Sequence, residues 1–98
     1  MPSSESKTVE DQVITLTDAD TQYSLAIDGR FEALEIQARQ DVDIRHSFTT
    51  GKVATPTDPY NTLKAGRVYY KEFLGMTGQT LYLASSTALT KVEVRIWR

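Results

Sequence analysis

The sequence predicts a small all-β domain, an antiparallel β-sandwich or barrel of about seven short strands with a flexible N-terminal arm. Apolar residues recur at alternate positions along most of the chain, which is the period of a strand with one buried face. Turn-forming residues interrupt these runs at short intervals, and no segment requires the period of a helix. The 98 residues suit one domain with a modest core.

The N-terminal segment differs in composition from the rest of the chain. Residues 1–12 are rich in serine and charge, and Val9 is their only large apolar residue apart from Met1. Such a segment buries too little apolar surface to offset the entropy lost on ordering. We therefore predict a flexible arm over residues 1–12 and a single β-domain over residues 13–98.

Alternation of apolar and polar residues begins after Gln12. The inward-facing sets are Ile14 and Leu16; Tyr23, Leu25 and Ile27; Leu34, Ile36 and Ala38; Val42, Ile44 and Phe48; Leu81 and Leu83; and Val92, Val94 and Ile96. Polar or charged residues stand between most of them. This pattern indicates strands with one solvated face.

Turn residues separate these strands. Asp28-Gly29 predicts a two-residue type I′ hairpin turn. Ala65-Gly66 and the segment 85–87 predict two further turns. Two prolines make residues 51–60 an irregular loop, because proline donates no hydrogen bond to a sheet. Mixed apolar spacing over residues 69–76 predicts a short turn or an irregular edge strand.

The charges are unevenly distributed. The net charge is −2, but residues 13–45 carry seven acidic and three basic side chains, and residues 46–98 carry three acidic and seven basic ones. We expect cross-strand pairing within one fold, and an oppositely charged contact between subunits would use the same asymmetry. The acidic balance argues against a nucleic-acid partner. Without a signal-like start or an apolar run of ~20 residues, we expect no membrane partner and synthesis in the cytoplasm.

The residue types of an active site or metal centre are sparse. The absence of cysteine excludes thiolate ligands and disulfides within these residues. His46, the only histidine, is in phase with apolar neighbours, which favours a half-buried structural residue. Asp18 and Asp20 suit a turn better than a calcium loop, and Glu32 and Glu35 fall on opposite strand faces. We predict no catalytic, cofactor-binding or metal-binding residues, and no enzymatic activity.

Two aromatic residues are expected to point outward. If Leu81 and Leu83 face the core, Tyr82 faces away from it, and Trp97 does the same beside Ile96. On neighbouring strands the two rings could pack against another subunit, be covered by the arm or a second sheet face, or stack on a sugar ring.

The segment 62–97 resembles the C-terminal half of small virion structural proteins of tailed bacteriophages. The matching motifs are Ala65-Gly66 before an aromatic strand, Thr80-Leu81-Tyr82-Leu83, and Val92-Glu93-Val94 with Trp97. The N-terminal half matches more loosely, through TLT at residues 15–17 and IQAR with DVDIRHSF over residues 36–48.

This resemblance implies a capsid decoration or cement protein without catalytic residues. It would bind the major capsid protein or another virion protein at the capsid surface, as a trimer or dimer, with the arm as a docking element. The residues expected to contact the partner are Val9, Glu10, Tyr69, Tyr82, Arg95 and Trp97. The alternatives are a phage tail, neck or fibre component and a carbohydrate-binding module.

Overall fold

The computed structural model describes residues 9–98, except for the side chains of Phe73 and Leu74. Within these residues the protein consists of six antiparallel β-strands in one sheet, and none of them belongs to a helix that could cross a membrane. The predicted all-β class is confirmed. The strands are β1 (Val9–Leu16), β2 (Tyr23–Ala38), β3 (Ile44–Ser47), β4 (Asn61–Leu63), β5 (Val68–Ala84) and β6 (Thr90–Trp97).

Two long strands organise the sheet, whose order is β1-β6-β2-β5-β3-β4. β2 and β5 pair from Tyr23 opposite Leu83 to Gln37 opposite Val68. At one end of this ribbon, β6 pairs with β2 and β1 with β6, which makes the first half-sheet. At the other end, β3 pairs with β5 and β4 with β3, which makes the second half-sheet.

The β2–β5 ribbon is irregular between the half-sheets. Its register shifts between Ile27 and Arg30 and again between Phe31 and Ala33. Such bulges bend a strand and increase its twist. Phe31 lies at this position and is fully buried.

The prediction of a hairpin turn at Asp28-Gly29 is wrong, because β2 continues through both residues. Gly29 has a φ of 72°. A bulge can use the same left-handed conformation as a type I′ turn, so the dipeptide does not distinguish the two. The bulge is identified by the pairing of β2 with β5 on both sides of Gly29. Because β2 is one continuous strand, the described residues form six strands instead of the seven or so that the sequence predicts.

The core is built from both half-sheets. Ile36, Val94 and Ile96 come from the first, and Ile44 and Leu81 come from the second; all belong to one buried cluster. Burial alternates strictly along β6, as the sequence predicts. Each fully buried aliphatic side chain contributes about 1.5–3 kcal/mol relative to an exposed one, so this shared cluster stabilises both half-sheets.

The other local predictions have mixed outcomes. The Ala65-Gly66 turn is confirmed, with Gly66 at a φ of 77°, and residues 85–87 do connect β5 to β6. Residues 51–60 contain no strand, as expected. Residues 69–76 belong to β5, and their part of the strand pairs on one side only, so the irregular edge strand is the alternative that forms.

The boundary of the arm is corrected. Residues 1–8 of the predicted arm lie outside the described residues. Residues 9–12 are part of β1, where Val9 lies opposite Trp97 and Gln12 opposite Val94. Composition alone suggests disorder here because the stabilising contacts come from β6, more than 80 residues further along the sequence.

Candidate interaction surface

The solvent side of the first half-sheet, which we call the outer face, is formed by residues that lie opposite one another across four strands. Successive side chains of a strand alternate between faces, so residues in register share a face. The outer face consists of Val9, Asp11, Val13 and Thr15 of β1; Lys91, Glu93, Arg95 and Trp97 of β6; Ala33, Glu35 and Gln37 of β2; and Val68, Tyr70 and Glu72 of β5.

Apolar side chains lie along both margins of the outer face. Of the five large hydrophobic residues that are exposed in the described chain, four belong to it: Val9, Val13, Val68 and Tyr70, each about half exposed. The valines of β1 form one margin, and Val68 with Tyr70 forms the other. Exposed apolar residues gathered on one face are typical of a surface that another molecule covers.

Charged side chains occupy the centre between these margins. Arg95 donates from Nε to Asp11 Oδ1 at 2.8 Å, and its Nη1 lies 4.0 Å from Glu35 Oε1. Arg39 donates from Nε to Glu93 Oε2 at 3.0 Å. The hydrogen bond with Asp11 raises the pKa of Arg95. These pairs are solvent-exposed, so they orient side chains more than they stabilise the fold.

A depression of about 390 Å³ lies in this centre and is open to solvent. Asp11, Glu35, Glu93 and Arg95 line it together with Val13. Its walls supply hydrogen-bond acceptors and one guanidinium group. No group of three or more metal-ligating side chains is found among the described residues. The chemistry that the depression offers is recognition of charged or amide groups.

An aromatic pair closes one end of the outer face. The rings of Tyr70 and Trp97 meet edge to face, with centroids 5.6 Å apart and an interplanar angle of 88°. The guanidinium carbon of Arg95 lies 6.0 Å from the centroid of the Trp97 ring. Burial, followed by the nearby carboxylate of Glu72, raises the pKa of the Tyr70 hydroxyl. The structure thus groups an exposed tyrosine, a tryptophan and an arginine.

Three of the six residues predicted to contact a partner lie together on the outer face: Val9, Arg95 and Trp97. Glu10 and Tyr69 are in register with the inward-facing Ile96 and Ile36. Glu10 Oε1 accepts a hydrogen bond from Arg98 Nε at 3.0 Å. The ring of Tyr69 lies 5.0 Å from that of His46.

The prediction that Tyr82 and Trp97 stand on neighbouring strands is wrong. β2 separates β5 from β6, and Tyr82 lies opposite Ser24 in the second half-sheet. Strand order depends on long-range pairing, which alternation along the chain does not reveal. The aromatic residue beside Trp97 is Tyr70. Its parity with Glu72 indicates that Tyr70 faces outward, but strand order alone places it beside Trp97.

The corresponding side of the second half-sheet is partly covered by the chain itself, over β3. Arg45 donates from Nε to the carbonyl oxygen of Val53 at 2.7 Å, and Ser47 Oγ donates to the carbonyl oxygen of Pro59 at 2.9 Å. Val53, a residue of the loop 51–60, is fully buried. Of the two half-sheets, the first therefore presents the more open surface.

The other polar candidates have structural surroundings. His46 is only 5% exposed, more buried than predicted, and its burial lowers its pKa. Asp20 Oδ1 accepts a hydrogen bond from Arg45 Nη2 at 2.8 Å. Asp20 has a φ of 51° in the turn before β2, which agrees with the turn interpretation.

No family model and no curated protein matches the sequence. Several solved structures are similar to it in fold, among them the following two. A de novo designed double-stranded β-helix has a TM-score of 0.54 and 18% identity, with 89% of this chain and 95% of that chain covered. A Bacillus endospore appendage protein, of a family described as disulfide-linked pili, has a TM-score of 0.51 and 15% identity, with coverages of 93% and 84%. At these identities the likeness concerns the fold alone.

Proposed function

We propose that this protein is a non-enzymatic structural protein of a tailed-phage virion, a capsid decoration or cement protein, and that its outer face binds the major capsid protein. The observation that carries the proposal is the grouping of Tyr70, Trp97 and Arg95 beside a charged centre with apolar margins. The sequence motifs of residues 62–97 support the virion assignment.

The shape of the outer face favours a macromolecular partner. Small-molecule sites are lined mostly by apolar side chains, whereas the depression between Asp11 and Glu93 is open to solvent and lined mostly by polar and charged ones. Tryptophan, tyrosine and arginine are the residues that most often dominate the binding energy of protein interfaces. The charged row of Asp11, Arg95 and Glu35 would set the orientation of the partner.

A component of a phage tail, neck or fibre is the second candidate. It is supported by the fold shared with an endospore appendage protein whose family forms pili. The present sequence contains no cysteine, so contacts through these residues would not be disulfide-linked. A carbohydrate-binding module has less support, because Tyr82 and Trp97 lie in different half-sheets and form no common platform.

Co-sedimentation with expanded capsids tests the proposal, using the major capsid protein encoded in the same genome. We expect the wild-type protein to sediment with the capsids and Tyr70→Ala to weaken binding about tenfold or more. Tyr82→Ala is the matched control on the other half-sheet and should bind like the wild type. Absence of capsid binding would refute the decoration role, and filaments of the purified protein in electron micrographs would favour the second candidate.

A further inference from the structure

We propose that the outer edge of β1 binds the same edge of a second copy of this chain, so that the two sheets join across a twofold axis. This inference concerns a backbone edge and does not depend on which protein the outer face binds.

The edge of β1 is long and regular. All eight residues of β1 pair with β6 without a register shift, from Val9 opposite Trp97 to Leu16 opposite Thr90. On its other side, β1 has no strand partner within residues 9–98. Amide and carbonyl groups of an edge strand that face away from the sheet can pair with another strand.

β1 carries the usual protection of an edge strand only in its first half, through Glu10 and Asp11. Its sequence, VEDQVITL, has no proline, glycine or lysine, and the half from Val13 to Leu16 is uncharged. Val9 and Val13 are each 51% exposed. The opposite end of the sheet is different, because β4 has only three residues and follows Pro59. β1 is thus the edge on which an added strand would find the longest regular template.

The charges of β1 favour an antiparallel second copy. Glu10 and Asp11 lie in its first half, and a twofold axis at Val13 places them opposite the uncharged Leu16 and Thr15 of the other copy. Val13 then lies opposite itself. An axis at Asp11, or a parallel in-register pair, would place like carboxylates against each other, which is destabilising.

The same register places the outer faces of the two copies on the same side of the joined sheet. An axis at Val13 pairs odd-numbered residues of β1 with odd-numbered ones, so the outer faces of the two copies continue into each other. The half-exposed Val13 side chains would meet at the centre, and Asp11 would keep its hydrogen bond with Arg95 of its own copy. The dimer would present two aromatic pairs on one surface.

Cysteine cross-linking tests this pairing directly, because the sequence has no cysteine of its own. We expect Val13→Cys to form a disulfide-linked dimer under mild oxidation at least about tenfold faster than Val68→Cys, since directly opposite Cβ atoms lie within disulfide reach. Val68 is 49% exposed, compared with 51% for Val13, and is the matched control on the other margin.

A mixture of variants tests the register. Asp11→Cys and Thr15→Cys together should cross-link faster than either variant alone, because the proposed axis places these two residues opposite each other. Equal cross-linking rates for Val13→Cys and Val68→Cys would overturn the proposal.

Light scattering of the cysteine-free protein provides a second readout. We expect a concentration-dependent dimer that Val13→Lys dissociates and Val68→Lys leaves intact, with circular dichroism confirming that both variants fold. A wild-type protein that stays monomeric up to about 1 mM, or a Val13→Lys variant that dimerises as well as wild type, would refute the β1 edge contact. Capsid binding by such a monomer would still support the proposed function. Failure of the β1 edge contact can therefore be distinguished from failure of the capsid-binding proposal.

Discussion

The rings of Tyr70 and Trp97 meet edge to face beside Ala33, although β2 separates the strands that carry them. Ala33 is the outer-face residue of β2 directly opposite Trp97. It is only 5% exposed. The small side chain of Ala33 lets the two rings approach each other across an intervening strand.

Replacing Tyr70 by alanine should expose the indole ring of Trp97 to water. Because Trp97 is the only tryptophan, its fluorescence reports this change without interference. We expect a red shift of the emission maximum and little loss of stability, since Tyr70 is already half exposed. Tyr82→Ala should leave the emission unchanged. An unshifted spectrum for Tyr70→Ala would contradict the aromatic pairing.

Replacing Arg45 by alanine should release the loop 51–60. The Arg45 side chain is 15% exposed and donates to the carbonyl oxygen of Val53 and the carboxylate of Asp20. Loss of a hydrogen bond from a charged donor costs about 1.5–3 kcal/mol in the free energy of unfolding. Urea denaturation measures this cost, and faster amide exchange in residues 51–60 would locate it.

Lys64→Ala is the control for Arg45→Ala. Lys64 also forms an ion pair, with Asp43 at 3.2 Å, but its side chain is 72% exposed. We expect a much smaller effect on stability. Similar losses for the two variants would show that Arg45 does not hold the loop.

Substitutions of Gly29 should distinguish backbone conformation from packing. Gly29 has a φ of 72°, and a Cβ atom placed there would lie 3.8 Å from Arg98 Nη1, an ordinary contact. Alanine should therefore destabilise the fold by about 1–2 kcal/mol through its backbone alone. Asparagine, which adopts this conformation more readily, should cost less. Thermal unfolding compares the two variants, and equal losses would argue against a left-handed bulge.

Acidification should destabilise the protein through His46. Burial lowers the pKa of His46 in the folded state, whereas an unfolded-state histidine has a pKa of about 6.5. Below that pH the unfolded chain binds the proton more readily, so the free energy of unfolding falls as the pH drops.

His46→Gln removes this titration and keeps a side chain of similar size. Between about pH 7 and pH 5 the variant should lose less stability than the wild type, as measured by urea denaturation at each pH. Parallel pH profiles for the two proteins would show that His46 binds its proton equally well in the folded and unfolded states, which would contradict the prediction.

The sequence correctly predicts features that depend on a single strand or turn. Alternation along residues 92–96 correctly predicts which side of β6 is buried, and Ala65-Gly66 correctly predicts a turn. It fails at Asp28-Gly29, where a bulge and a hairpin turn require the same left-handed glycine. It also fails at residues 9–12, whose partners come from the far end of the chain.

Some features of the outer face also follow from one strand alone, and others depend on strand order. The outward direction of Trp97 follows from its parity with Ile96, and no other residue need be known. The identity of its aromatic neighbour depends on strand order, which places Tyr70 beside it and Tyr82 at the other end of the β2–β5 ribbon.

The amino-acid sequence by itself thus determined the all-β class and the facing of most strands, because a two-residue period is a local property of the chain. Only the tertiary structure decided the strand order, the continuous course of β2 and the makeup of the outer face. These features arise when residues distant in sequence pair and bury a common core, and the free energy of that burial depends on both half-sheets at once.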